Sequence, residues 1–304
     1  MTKSERSTHG GRNQTMIFVG GLHRSGTTVV AQVVSGSPQA SGLTETGAMM
    51  DEGQFLQDAY PQGSVLGGPT AWALNPRAHL TERDVENPDT LREQLWNSWS
   101  PYWDLSREFL VEKTPLNILR SRYLQAAFPD SGFLFVVRHP MLQALAVEKW
   151  YPDMRGKMGF RLAGLVELWC TAHETLSADL PHLRSASVAK YEHIVQDPVG
   201  EFERVGREIK LPAELKVENL ASSRSERYSQ RWEQMAVKRA SKTVRPRSRV
   251  RSRVDLRELV RDAVSPLLRR EYAAVVRDYE PRIQPFGYSL EDLTAVEPWP
   301  PSSR

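Results

Sequence analysis

The 304-residue chain lacks the features of several protein classes. Its single cysteine, Cys170, excludes an internal disulfide framework and fits a reducing compartment. No apolar run approaches the roughly 18–20 residues that a membrane-spanning helix needs. The first fifteen residues are polar, and we therefore predict a disordered leader over residues 1–15 rather than a signal peptide. Together these absences predict a soluble, cytoplasmic protein with no membrane partner.

Metal-binding and nucleic-acid-binding patterns are also missing. The chain shows neither a dense His/Cys cluster nor an H-E-x-x-H pattern, and so we predict no metal site. Residues 238–253 carry eight Lys and Arg side chains but no aromatic residue. This argues against a surface on which the bases of single-stranded DNA or RNA would stack. We interpret this basic stretch as a lid and predict no nucleic-acid partner, with a nucleic-acid or anionic-lipid patch as the alternative.

What the sequence does contain is an alternation of short apolar runs and amphipathic segments. It predicts strands over residues 16–19, 108–112, 132–137 and 186–190, and helices over residues 27–34, 88–99, 116–128, 141–150 and 163–180. Such alternation requires crossover connections and a mostly parallel sheet covered by helices on both faces. We expect an α/β, P-loop NTPase-like three-layer domain over residues 16–290, with a tail over residues 291–304. Residues 39–80 are expected to form a long connection over the edge of the sheet, with a short helical segment near residues 51–59.

A glycine-rich loop follows the first predicted strand. Gly21 to Thr28 has the G-x-x-x-x-G spacing of a phosphate-binding loop, in which backbone N–H groups and a helix N-terminus surround an anion. A nucleotide-cleaving loop places Lys after the second glycine. Here that position is Thr27, and the nearby cation is Arg24 inside the loop. The loop therefore fits a single 5′-phosphate better than a triphosphate, unless it is a helix cap that binds nothing.

Two further cations follow predicted strands. Lys113 comes after the second strand and Arg138 after the third. Because ligands of parallel sheets bind beyond the carboxyl ends of the strands, we expect both to face the glycine-rich loop. Each alone is equally consistent with a surface cation. With Arg24 they would place three cations around one anion.

These segments together resemble a known family. Gly20 to Thr28 (GGLHRSGTT) resembles the 5′-phosphosulfate loop of sulfotransferases that depend on PAPS (3′-phosphoadenosine-5′-phosphosulfate), in the bacterial branch related to tyrosylprotein sulfotransferases. Phe135 to Pro140 resembles the start of the 3′-phosphate motif of that family. Glu112-Lys113-Thr114-Pro115 matches the order of motifs in this branch, and Val188 to Glu192 resembles a later strand whose tyrosine lies near the nucleotide. The resemblance covers residues 16–200.

The resemblance implies a cofactor and a set of site residues. It implies that PAPS, and its product adenosine 3′,5′-bisphosphate, would be bound by His23, Arg24, Ser25, Gly26, Thr27, Thr28, Arg138 and Tyr191. It also implies that Glu45 is the general base and that Lys113 and Arg24 stabilise the transferring group, without a metal. His23 is the competing base, and Asp51 and Glu52, read as the acidic start of a helix, are weaker candidates for acceptor contact. The family's usual 3′-phosphate serine is replaced by Ala146.

The acceptor and the assembly are less defined by the sequence. We expect a carbohydrate or small natural-product hydroxyl as acceptor, and a homodimer is one option for the assembly. Two other function classes stay open at this stage. One is a P-loop kinase or NTPase, and the other is a non-catalytic module that binds a nucleotide or a nucleic acid.

Overall fold

The structure is a computed structural model that describes residues 14–150, 162–217 and 273–299. Three predicted features fall outside the described residues: the leader up to residue 13, the basic stretch 238–253, and the tail from residue 300. The chain forms two compact units. Among the described residues, the first unit contains 14–138, 168–217 and 298–299, and the second contains 139–150, 162–167 and 273–297.

The first unit is built on a five-stranded parallel sheet. The strands are β1 (Thr15–Gly21), β2 (Ala40–Gly42), β3 (Phe109–Lys113), β4 (Gly132–Val137) and β5 (Ala186–Lys190), in the spatial order β2-β3-β1-β4-β5. The α-helices among the described residues are α1 (Thr27–Ser35), α2 (Pro88–Trp99), α3 (Ser121–Ala127), α4 (Pro140–Trp150), α5 (Leu162–Asp179), α6 (Tyr191–Gln196), α7 (Pro198–Glu208) and α8 (residues 273–283). The predicted α/β class is confirmed, with the glycine-rich loop joining the central strand β1 to α1.

Both faces of the sheet are covered, because successive side chains of each strand point to opposite sides. Ile17 and Val19 of β1 share one buried cluster with side chains of α1 and α7, including Val30 and Phe202. Phe18 points the other way into an aromatic cluster, where its ring lies 5.4 Å from that of Phe133 and 6.1 Å from that of Trp99 on α2. Burial on both faces explains why the sequences of these strands are continuous apolar runs rather than alternating apolar and polar residues.

The structure corrects two expectations about local structure. Residues 39–80 are not only a long connection, because they begin with the edge strand β2 and continue as a series of 3₁₀ turns. The short helical segment expected near residues 51–59 is two such turns, Met49–Asp51 and Gly53–Phe55. The helix expected over residues 116–128 is interrupted at Arg120, between a 3₁₀ turn (Pro115–Leu119) and α3. The buried Arg120 guanidinium donates to the carbonyls of Pro61 and Ala78, so tertiary contacts override the helical pattern there.

The second unit contains α4, the start of α5, α8 and the segment that follows α8. Ala144, Val147 and Leu165 pack together in a small apolar cluster. The Glu280 carboxylate accepts hydrogen bonds from Ser289 Oγ and from the backbone N–H of Leu290, both at 2.6 Å. These two bonds fix the segment after α8 onto the helix.

Candidate active site

The candidate site residues lie at the carboxyl ends of all five strands. The glycine-rich loop follows β1, Glu45 follows β2, Lys113 is the last residue of β3, Arg138 follows β4, and Tyr191 follows β5. Since the strands are parallel, these five ends meet at one edge of the sheet. That edge is where α/β sheets bind their ligands.

The backbone of the glycine-rich loop is shaped for an anion. Arg24 (φ 69°) and Gly26 (φ 109°) are both left-handed, and Ser25 N donates to Leu22 O at 3.1 Å. Turns of this kind direct successive backbone N–H groups toward one side. Thr27 and Thr28 begin α1, and no side chain caps its N-terminus. The buried Ser25 hydroxyl has no hydrogen-bond partner among the described residues, so the loop retains donors for a ligand.

Tyr191 and Arg138 are packed against this loop. A Cβ atom on Gly26 would lie 2.4 Å from Tyr191 Cδ2, so glycine is required both for the backbone angle and for the close approach of the ring. The Arg138 guanidinium lies over the Tyr191 ring, 5.0 Å from its centroid, and donates to Arg24 O at 3.0 Å. Arg24, Gly26, Arg138 and Tyr191 therefore form one cluster.

His23 is held as a neutral ring beside two cations. Burial, followed by the charges of Lys113 and Arg24, lowers the pKa of His23 from 6.5 to about 4. Trp72 Nε1 donates to His23 Nδ1 at 3.3 Å, so the proton of the neutral ring lies on Nε2. At neutral pH this ring is a hydrogen-bond donor rather than a proton acceptor, which argues against His23 as the base. The sequence contained no signal for the Trp72 contact, which spans 49 positions.

Lys113 is buried in an ion pair that the sequence pattern did not indicate. Its Nζ donates to Glu52 Oε1 at 3.0 Å and to Met50 O at 3.2 Å. The lysine and glutamate side chains are only 7% and 8% exposed. Glu52 is thus not the exposed acid at a helix start that its local sequence indicates. No local pattern could have revealed this pair, because its members are 61 positions apart.

Glu45 lies beside the segment that holds Lys113. Thr46 donates through its backbone N–H (3.0 Å) and its hydroxyl (2.6 Å) to Asp51 Oδ1, and Asp51 lies between the two residues that contact Lys113. Glu45 itself is exposed. Glu45, Met50 and Asp51 all have positive φ (54°, 56° and 49°). Backbone strain of this kind is concentrated at functional sites.

The family of the chain follows from comparison with known sequences. The sequence model of the Sulfotransferase family matches residues 16–214, more than half of the chain. The chain belongs to the sulfotransferase family. No curated protein sequence matches it significantly.

Several solved structures resemble this sulfotransferase. A sulfotransferase of Mycobacterium tuberculosis is 15% identical, with 73% of this chain and 77% of that one covered and a TM-score of 0.43. A sulfotransferase of Alicyclobacillus acidocaldarius is 14% identical, with 86% and 96% covered and a TM-score of 0.42. The sulfotransferase domain of the curacin biosynthetic pathway is 14% identical, with 70% and 79% covered and a TM-score of 0.43.

Three further observations concern the 3′-phosphate motif, metal binding and membrane spanning. Ala146, which replaces the serine expected in the 3′-phosphate motif, is fully buried in α4. In the part of the chain that the structure describes, no group of three or more His, Cys, Asp or Glu side chains is arranged to hold a metal ion. None of the described helices is both long and apolar enough to cross a bilayer.

Proposed function

We propose that this member of the sulfotransferase family transfers a sulfuryl group from PAPS to a hydroxyl group of a carbohydrate or small natural product. The observation that carries the proposal is the glycine-rich loop, which has Thr27 in place of the NTPase lysine, Arg24 inside it and Lys113 at the end of the neighbouring strand β3. A loop of this form can hold one phosphate at its N–H groups, but it lacks the lysine charge that NTPases direct at the β- and γ-phosphates.

The residues present fit the phosphosulfate end of PAPS. The uncapped N-terminus of α1 and the unpartnered, buried Ser25 hydroxyl offer donors for a 5′-phosphate, with Thr27 and Thr28 in the first turn of α1. Arg138, packed on Tyr191 and bonded to the loop carbonyl of Arg24, would hold the 3′-phosphate. When bound, PAPS would supply an activated sulfuryl group on that 5′-phosphate.

The cations of the site would stabilise negative charge at the point of transfer. Both Lys113 and Arg24 lower the pKa of His23, which supports their action on a common location. Fixed charges in a site that excludes water stabilise developing charge more than mobile water does. The neutral His23 ring does not compete for the proton of the acceptor.

Glu45 is proposed to take the proton from the acceptor hydroxyl. Its exposure leaves the carboxylate accessible to an acceptor that enters from solvent, and the Thr46–Asp51 bonds place its loop next to the Lys113 contacts. A positioned base of this kind contributes about 10²- to 10⁴-fold to a rate.

The Glu45→Gln variant tests this assignment. Transfer from labelled PAPS to a panel of sugars, phenols and peptides identifies an acceptor, and the variant is then compared with the matched control Glu93→Gln, an exposed glutamate on α2. We expect Glu45→Gln to slow transfer by about 10²-fold or more while the affinity for adenosine 3′,5′-bisphosphate stays unchanged. Transfer at the rate of the control would exclude Glu45 as the base.

A further inference from the structure

The buried Glu52–Lys113 ion pair places a carboxylate beside the cations of an anion site. Lysine has a flexible four-carbon stem, so its ammonium group is not positioned by the backbone alone. At the end of β3, two acceptors hold the ammonium: Glu52 Oε1 and the carbonyl of Met50. Both lie on one short segment, which must itself be fixed if it is to orient the lysine.

Side chains on either side of Glu52 fix that segment. Gln54 Nε2 donates to Glu52 Oε2 at 2.6 Å, so both carboxylate oxygens of Glu52 are engaged. Gln54 is held in turn by its backbone N–H, which donates to Thr114 Oγ1 at 3.2 Å, and by Gly63 N, which donates to Gln54 Oε1 at 2.9 Å. The Glu52 carboxylate therefore has little freedom to move away from Lys113.

A second buried carboxylate, Glu112, ties this segment to the sheet. Glu112 accepts from Gly53 N at 2.9 Å, from Thr114 Oγ1 at 2.6 Å and from Asn117 Nδ2 at 2.6 Å, and Asn117 Nδ2 also donates to Val19 O at 3.2 Å. Glu112 thus ties the segment of Glu52 to the end of β3, and Asn117 extends the link to β1. The approach is so close that a Cβ atom on Gly53 would lie 2.6 Å from Glu112 Oε1.

Neither stability nor ligand affinity accounts for this arrangement. A buried ion pair is weak evidence for stability, because both charges lose their hydration. A carboxylate next to an anion site also repels the ligand rather than attracting it. What the pair does provide is a fixed direction for the ammonium group of Lys113.

We propose that Glu52 is a positioning residue that orients Lys113 for sulfuryl transfer and weakens donor binding in doing so. This inference rests on the proposed function, and it adds Glu52 to the residues on which the reaction depends. Glu52 acts through Lys113, and Gln54 and Glu112 hold it in place.

The test compares Glu52→Gln with Glu201→Gln, a matched control whose carboxylate is equally buried (8% exposed) and ion-paired to Arg204 on α7. The first readout is the ¹⁵N NMR spectrum of the ligand-free protein labelled on lysine, with the Lys113 ammonium signal assigned by its loss in Lys113→Met. The second is calorimetry with adenosine 3′,5′-bisphosphate, and the third is the rate of transfer from labelled PAPS to the fastest acceptor of the panel.

We expect the Lys113 signal in the wild type and in Glu201→Gln but not in Glu52→Gln. We expect Glu52→Gln to bind the bisphosphate as tightly as the wild type or up to about tenfold more tightly, because a repelling charge has gone. Transfer should nevertheless slow by about 10- to 100-fold, the effect of a misplaced catalytic group. A persistent Lys113 signal, weaker bisphosphate binding or an unchanged transfer rate would each overturn the proposal.

This design distinguishes a Glu52 variant that does not fold from a failure of the proposed function. If Glu52→Gln does not fold, Glu52→Asp retains the charge but moves it by one methylene group, and slower transfer with unchanged bisphosphate affinity is then the supporting result. If the wild type does not bind the bisphosphate, the proposed function fails. The NMR comparison still decides whether Glu52 orients Lys113, because it needs no ligand.

Discussion

Replacing Gly26 by alanine tests whether the glycine-rich loop, Tyr191 and Arg138 act as one unit. Gly26 has φ 109° and ψ 6°, a conformation that residues with a Cβ atom rarely adopt. The added methyl group would also lie 2.4 Å from Tyr191 Cδ2, well inside van der Waals contact. The ring must then move, and the Arg138 guanidinium that lies 5.0 Å from its centroid loses this cation–π contact.

The size of the effect follows from these two contributions. A strained backbone conformation costs on the order of 1–3 kcal/mol. Loss of a cation–π contact adds about 0.5–2 kcal/mol. Since about 1.4 kcal/mol corresponds to a factor of ten in affinity, Gly26→Ala should weaken the binding of adenosine 3′,5′-bisphosphate by about tenfold or more if the cost falls on the bound state.

Calorimetry on two further variants separates strain from steric overlap. Gly68→Ala is the matched control, because Gly68 also has a positive φ (69°) but a Cβ atom there would meet nothing within 4 Å. It should lower stability by about 1 kcal/mol and leave bisphosphate binding unchanged. Adding Tyr191→Ala to Gly26→Ala should remove the steric overlap but not the strain. If Gly26→Ala binds the bisphosphate as tightly as Gly68→Ala does, the proposed unit of loop, tyrosine and arginine does not exist.

Two other predictions concern the charged groups of the site. The pKa of His23 is about 4 in the folded protein against an ordinary 6.5, so the unfolded chain takes up the proton first, and stability should fall as the pH drops from 6.5 to 4. The loss of stability is at most about 3 kcal/mol, since the ring is half-buried. Thermal unfolding of His23→Gln across this pH range should therefore show a weaker dependence of stability on pH than that of the wild type. Arg138→Gln should weaken bisphosphate binding by about 10- to 100-fold in calorimetry, because a charged donor is lost, whereas the exposed control Arg184→Gln should not. Equal pH dependence of wild type and His23→Gln, or equal affinities of the two arginine variants, would contradict these expectations.

Strands that are buried on both faces were predictable from the sequence. β1, β4 and β5 are short apolar runs next to glycine, proline or charged residues, and β4 and β5 have the predicted bounds. β2 was missed because Ala40-Ser41-Gly42 has neither length nor apolar character, and only its pairing with β3 makes it a strand. Edge strands of this kind are defined by their neighbours rather than by their own residues.

The candidate site was predictable where a motif is local. The glycine-rich loop, Lys113 at the end of β3 and Arg138 after β4 lie at the strand ends where the pattern placed them. The partners of these groups were not predictable, because Glu52 reaches Lys113 across 61 positions and Trp72 reaches His23 across 49. Such pairs depend on the path of residues 39–80, which follows tertiary contacts rather than a periodic pattern.

Calorimetry of the wild-type protein with adenosine 3′,5′-bisphosphate, with ATP as the competing ligand, tests the central claim most directly. The loop with Thr27 in place of lysine, Arg24 inside it and Arg138 beside it predicts that the bisphosphate binds at least about tenfold more tightly than ATP. Binding of ATP with equal or higher affinity would contradict the assignment of this site to PAPS.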